Sequence, residues 1–211
     1  MSAHATTPIR ALLLDADGVV QFVPGGFMSR LAAAHGLAGT EALAFERALF
    51  ALEAQAAEGR AAFAPAVAEL VARLQPAIDV ARLLDTWRHV EVHAGVRALV
   101  GRVRALGIRC GIATNQQDLR AGHLSGTLGY AALFDVECYS CHIGARKPQP
   151  AFFAAAIAAV GCAPADILFI DDSAANVEAA RNCGLRAELH DEGSGAAGIA
   201  AALQRHGVDV R

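Results

Sequence analysis

Residues Ala11 to Leu14 form an unbroken apolar run that stops abruptly at Asp15-Ala16-Asp17-Gly18. A run without polar alternation suits a strand buried on both faces of a parallel sheet, not one with a wet face. Asp15 and Asp17 lie two residues apart, so in extended chain both carboxylates face the same way. Like charges held close repel and shift each other's pKa, which calls for a cation between them or a proton to exchange. Gly18 then lets the chain turn sharply or approach a ligand closely. Taken alone, the stretch also fits a strand end capped by two solvated acids, and the rest of the chain must decide.

After Val20 the breakers around Pro24-Gly25-Gly26 predict a turn. From Phe27 to about His93 the patterning is helical, with helices expected over Met28–His35, Thr40–Ala57, Ala61–Leu74 and Val80–His89. Beyond Ala94 helix and strand alternate. Helices are expected at Val96–Ala105, Asp118–Leu128, Pro150–Val160, Ser173–Cys183 and Ala196–His206, and strands at Ile108–Ala113, Phe134–Tyr139, Ile167–Ile170 and Leu185–Leu189. Such alternation with short connections implies an α/β fold, a doubly wound parallel sheet covered by helices on both faces. Ligands of such sheets sit at the C-terminal strand ends.

The polar residues obey that rule. Asp15 and Asp17 end the first strand, Thr114-Asn115 the second and Asp171-Asp172 a third. Only 18% of the chain is charged and 55% is apolar, so three strands delivering polar groups to one edge is not a packing accident. The formal charge of -3 argues against a general nucleic-acid or anionic-membrane surface. The short polar N-terminus and the interrupted apolar run after it predict a cytoplasmic protein with no membrane span. Five cysteines, an odd number, read as free thiols packed as small apolar residues. All but one of the 18 basic residues are arginine, and the exception is Lys147. A compact ammonium is not interchangeable with a guanidinium fork, so a specific use is expected there.

Four acids, a hydroxyl beside an amide and one lysine are the parts of metal-assisted phosphoryl transfer. Magnesium takes carboxylate oxygens, waters and a substrate phosphate. An aspartate can be a nucleophile, a second acid can move the proton, and a lysine with nearby N–H groups can stabilise the transferring oxygens.

Asp15-Ala16-Asp17-Gly18-Val19, Thr114-Asn115, Lys147-Pro148 and Asp171-Asp172, in that order between Arg10 and about Leu189, resemble the four motifs of the haloacid dehalogenase-like superfamily. The resemblance is to the phosphatase branch with a helical cap inserted after the first motif. It implies a catalytic core from residues 1–20 and 94–211, a small all-helical cap at 21–93, and a first strand lying between those ending at Thr114 and Asp171. It also implies Asp15 as nucleophile and metal ligand, and Asp17 as acid/base that binds the metal through its main-chain carbonyl. Thr114 and Asn115 would hold the phosphoryl group and Lys147 would bridge it to the nucleophile, Asp172 would be a further magnesium ligand and Asp171 would support Lys147 or a metal-bound water, these last two roles being exchangeable. Where family members often carry another acid, this chain has Asn176, from which altered metal affinity is expected.

The expected activity is magnesium-dependent hydrolysis of a small phosphorylated metabolite through an aspartyl phosphate. The alternatives are a sugar-phosphate mutase of the same fold and a non-catalytic phospholigand-binding module. Asp17 speaks against a dehalogenase, since halide leaves without a proton, and the absence of a cap lysine speaks against phosphonate cleavage. Gln21, Phe22 and the cap arginines are substrate-contacting candidates by location only. Cys138-Tyr139-Ser140-Cys141-His142 matches a haem-attachment pattern but reads as packing on the way to Lys147. His89 and His93 read as one turn apart on a half-exposed helix face, and Arg146 as either a phosphate contact or a solvated loop residue.

Overall fold

The computed structural model describes residues 8–25 and 39–210; the helix expected over Met28–His35 lies outside them. Its centre is a five-stranded parallel sheet of β1 (Ala11–Leu14), β4 (Arg109–Thr114), β5 (Val136–Tyr139), β6 (Ile167–Asp171) and β7 (Arg186–Leu189), in the order β5-β4-β1-β6-β7. β1 is in the middle, with Leu14 opposite Ile112 on one side and Ile170 on the other. This register brings the ends of β1, β4 and β6 to one edge.

The apolar runs are buried on both faces, as their lack of alternation predicts. Leu12, Leu14, Leu168 and Ile170 point to one layer, with Val96, Leu99 and Val103 of α4 (Ala94–Ala105) and Ile199 and Leu203 of α10 (Gly195–Arg205). Leu13 and Phe169 point to the other, with Phe152, Phe153 and Ala156 of α8 (Pro150–Val160) and Val177 and Ala180 of α9 (Ala174–Asn182).

Between β1 and α4 lie α1 (Gly39–Ala57), α2 (Phe63–Leu74) and α3 (Val80–Arg88). They enclose a separate apolar cluster in which Phe45, Phe63, Val67, Leu83 and Trp87 are buried. The sequence reading missed one element here. Gln21–Phe22 (β2) and Glu91–Val92 (β3) pair antiparallel as a two-stranded ribbon where the chain leaves and re-enters the sheet region. His93 follows this ribbon at the N-terminus of α4 while His89 ends α3, so the two histidines do not share a helix face.

Between Asp118 and Tyr139 two further boundaries differ. The helix expected at Asp118–Leu128 is a short α5 (Asp118–Gly122) followed by a π-helical turn at His123–Thr127. Phe134 and Asp135 precede β5, after the short α6 (Tyr130–Leu133). Gly122 and Gly126 within the run lower its helix preference, and burial of Leu124 and Tyr130 sets the path. Among the described residues no helix is long and apolar enough to cross a membrane.

Candidate active site

Lys147 and its two acids form the centre of the site. Lys147 Nζ is 2.8 Å from Asp15 Oδ1 and 2.6 Å from Asp171 Oδ2, and all three residues are buried. Burial alone would lower the lysine pKa, but the two carboxylates outweigh it and raise it, so the ammonium persists. Burial pushes Asp15 up to about 6, with Asp171 adding to the rise and Lys147 opposing it. Both donors to the Asp15 carboxylate, Lys147 and the Ala16 N–H at 2.7 Å, meet Oδ1.

Lys147 reaches this position because Asn115 grips its main chain. Asn115 Nδ2 donates to the Lys147 carbonyl at 2.9 Å, and Asn115 Oδ1 accepts from the Lys147 N–H at 2.8 Å. The Asn115 side chain thus anchors the lysine. Thr114, at the buried end of β4, has its hydroxyl 3.2 Å from Gln116 Nε2.

Asp17 sits among donors that sequence reasoning did not assign to it. Its Oδ1 accepts from Arg120 Nη2 at 2.6 Å and Gln21 Nε2 at 3.0 Å, and its Oδ2 from Gln116 Nε2 at 2.9 Å. Gln21 in turn accepts from the buried Tyr130 hydroxyl at 2.7 Å. Gln21 is wholly buried, which removes it from the substrate-contacting candidates. Arg120 arrives on α5, whose first turn is capped by Gln117 Oε1 accepting from the Arg120 N–H. The polar run Gln116-Gln117 straight after the Thr114-Asn115 strand end was the available signal, since unsatisfied amides at an active edge need partners.

The acids also offer a cation site. Asp15, Asp171 and Asp172 each place a carboxylate oxygen within 4.8 Å of the others. Asp171 is already saturated, accepting from Lys147, from the Ser173 N–H at 2.8 Å, and from Asn176 Nδ2 at 3.0 and 3.1 Å. Asn176 therefore serves Asp171. Asp172 is exposed, and partial burial together with the Asp171 charge raises its pKa. Gly18, at φ +76°, lies so close to Asp172 that a Cβ would fall 2.5 Å from its Oδ2. Only glycine combines that backbone with that approach. Hard oxygen donors in this number suit magnesium.

A cavity of about 510 Å³ opens beside these groups. Asp17, Gly18, Arg120, Asp172 and Glu192 line it from the sheet side, and Phe22, Val23 and Glu53 from the inserted segment. Arg146 does not line it; its guanidinium pairs with Glu58 at 3.1 Å, tying the end of α1 to the Lys147 loop. Cys138 ends up buried in β5 and all five cysteines are free thiols, in keeping with a packing use.

A parallel α/β sheet that gathers carboxylates and a buried lysine at the C-terminal ends of its strands is the architecture of an α/β enzyme whose site lies at that edge. Residues 9–184 match the family profile described as haloacid dehalogenase-like hydrolase, and the chain belongs to that family. It is 35% identical over 109 residues to the phosphatase MT3486 of Mycobacterium tuberculosis, covering 51% of this chain and 50% of that protein. It is 30% identical over 138 residues to phosphoglycolate phosphatase of Cereibacter sphaeroides, covering 65% of this chain and 61% of that protein. These matches thus span between half and about three-fifths of the relatives' length. Among solved structures, a HAD family enzyme from Bacteroides thetaiotaomicron superposes with a TM-score of 0.77 at 18% identity, over 89% of this chain and 96% of that one. That likeness is one of fold.

Proposed function

We propose that the chain is a magnesium-dependent phosphatase acting on a small phosphorylated metabolite, with residues 1–20 and 94–211 as its catalytic core and 21–93 as its cap. The observation that carries this reading is Lys147 held between Asp15 and Asp171, with Asp17 and Asp172 at the same edge. The phosphatase names of the matched relatives support it, as does a magnesium complex among the similar structures.

Asp15 and Asp172 would hold the metal, with Asp17 contributing its main-chain carbonyl. Bound there, magnesium supplies positive charge to the phosphoryl oxygens. The chain's own residues do the rest. Lys147 neutralises charge on the transferring group, while Thr114 and the Asn115 main chain position it. Asp15 Oδ2, which no donor among the described residues meets, attacks phosphorus; the Asp15 O–P bond forms as the ester P–O bond breaks. Asp17 gives its proton to the departing alkoxide. Water then attacks the aspartyl phosphate, its proton passes to Asp17, and phosphate leaves with Asp15 restored.

The test is release of inorganic phosphate from an aryl phosphate with magnesium, with and without chelator. Wild type is expected to turn over only with the metal. Asp15→Asn is expected to lose activity by at least about a thousandfold with an unchanged circular-dichroism spectrum; activity near wild type in that variant would overturn the mechanism.

A further inference from the structure

We propose that Glu53, Arg120 and Phe22 form a leaving-group subsite for a hydroxyl-rich alcohol, so that the preferred substrates are phosphate monoesters of sugars or polyols. This rests on the phosphatase reading and adds the substrate class to it.

Glu53 comes from α1, remote in sequence from the catalytic motifs, yet it lines the cavity that also touches Asp17 and Asp172. It is not a loose surface acid. Trp87 Nε1 donates to Glu53 Oε1 at 2.6 Å, and Trp87 is itself buried in the helical cluster, which fixes the carboxyl's position. Burial raises the Glu53 pKa, with Arg120 among the opposing charges, so the group is a desolvated hydrogen-bonding partner. The second oxygen is the natural acceptor for a substrate hydroxyl.

Arg120 stands on the sheet side of the same cavity. Its charge is directed at Asp17 by the 2.6 Å contact, while its buried Nε has no hydrogen-bond partner among the described residues. With Asp17 already countering its charge, its remaining N–H groups can donate to a hydroxyl oxygen. Glu192 adds a further acid to the wall. Phe22, stacked on His93 at 4.7 Å between ring centroids, contributes an apolar surface for the carbon skeleton.

Acceptor, donor and aromatic surface around one cavity match vicinal hydroxyls on a carbon ring or chain. A carboxylate leaving group, as in phosphoglycolate, would meet Glu53 and Glu192 with like charge. A primary amine would use the acids and leave Arg120 opposed.

The experiment compares glucose 6-phosphate, sorbitol 6-phosphate, phosphoglycolate, phosphoethanolamine and an aryl phosphate with the wild-type protein and magnesium. The same esters are titrated calorimetrically into Asp15→Asn. The best sugar or polyol ester is expected to exceed phosphoglycolate and phosphoethanolamine by at least about tenfold in kcat/KM and in affinity, the scale of one charge-assisted hydrogen bond. Glu53→Gln keeps an acceptor for Trp87 and is expected to shrink that ratio severalfold, through KM more than kcat. Turnover with phosphoglycolate or phosphoethanolamine preferred, or an unchanged ratio in Glu53→Gln, overturns the subsite and leaves the phosphatase reading standing. Affinities in the expected order without any turnover overturn the phosphatase reading and keep the subsite, and absence of both overturns the two together.

Discussion

Lys147 is the counter-ion of two buried acids, so its removal has consequences beyond catalysis. Lys147→Met leaves Asp15 and Asp171 buried without their cation, and a broken buried pair of this kind costs about 3–5 kcal/mol. Urea unfolding should show that loss, and activity should fall with it. Gly18→Ala tests the opposite edge of the site. The substitution forces a side chain into left-handed backbone, at about 1–2 kcal/mol, and pushes on Asp172. It should therefore weaken magnesium binding, read as a rise in the metal concentration needed for half-maximal thermal stabilisation. At this scale the acids were legible in the sequence because each stands at or just past a strand end, where the α/β arrangement points side chains at ligand, and Lys147 because it is the single lysine among 18 basic residues. Arg120 was not. In a chain whose cations are nearly all arginine it carries no compositional signal, and its contact with Asp17 depends on where a short helix lands.

That short helix shows what element-level reading can reach. The Asp118–Leu128 segment looks like one helix, yet it breaks into α5 and a π-helical turn. Its first residue also works outside its own element, because Asp118 Oδ1 accepts from the Phe63 N–H at 2.9 Å at the start of α2, whose N-cap Ala62 has no side-chain oxygen to offer. Asp118→Ala should behave as the loss of a helix cap, costing about 1 kcal/mol, with faster hydrogen exchange at the Phe63 amide as its signature. Asp135 is a second joint between elements: it accepts from the Cys110 N–H at 2.9 Å in β4 and from Arg104 Nη2 at 2.5 Å in α4. Burial works against its ionised form, but these donors prevail and hold its pKa below the usual carboxylate range. The tie is complete above about pH 4, the value in unfolded chain, and is lost as pH falls through the lowered pKa. Asp135→Asn should thus be less stable than wild type at neutral pH and converge with it in acid, as followed by urea unfolding across the range.

Across the whole molecule, the inserted helices meet the sheet region through a few polar ties and an apolar contact. Arg146 and Gln149 approach Glu58, Asp118 caps α2, and Leu119 packs against the helical cluster. The proposed metal sits at the sheet edge below, and its binding should register in global stability by mass action. Magnesium at about one hundred times its Kd should add about 2.7 kcal/mol, seen as a higher Tm, and Asp172→Asn should remove most of that gain. The sequence by itself determined the alternating parallel sheet, the helical insertion after β1, and the set of acids with their single lysine. These follow from local periodicity and from polar residues interrupting apolar runs. Only the tertiary structure decided that Asn115 anchors Lys147, that Gln21 and Arg120 hold Asp17, and that Glu53 looks into the same cavity. Apart from Gln21, four residues past Asp17 in the turn after β1, these groups come from segments far apart along the chain, and packing brings each amide, guanidinium or carboxyl to a partner it must satisfy once buried.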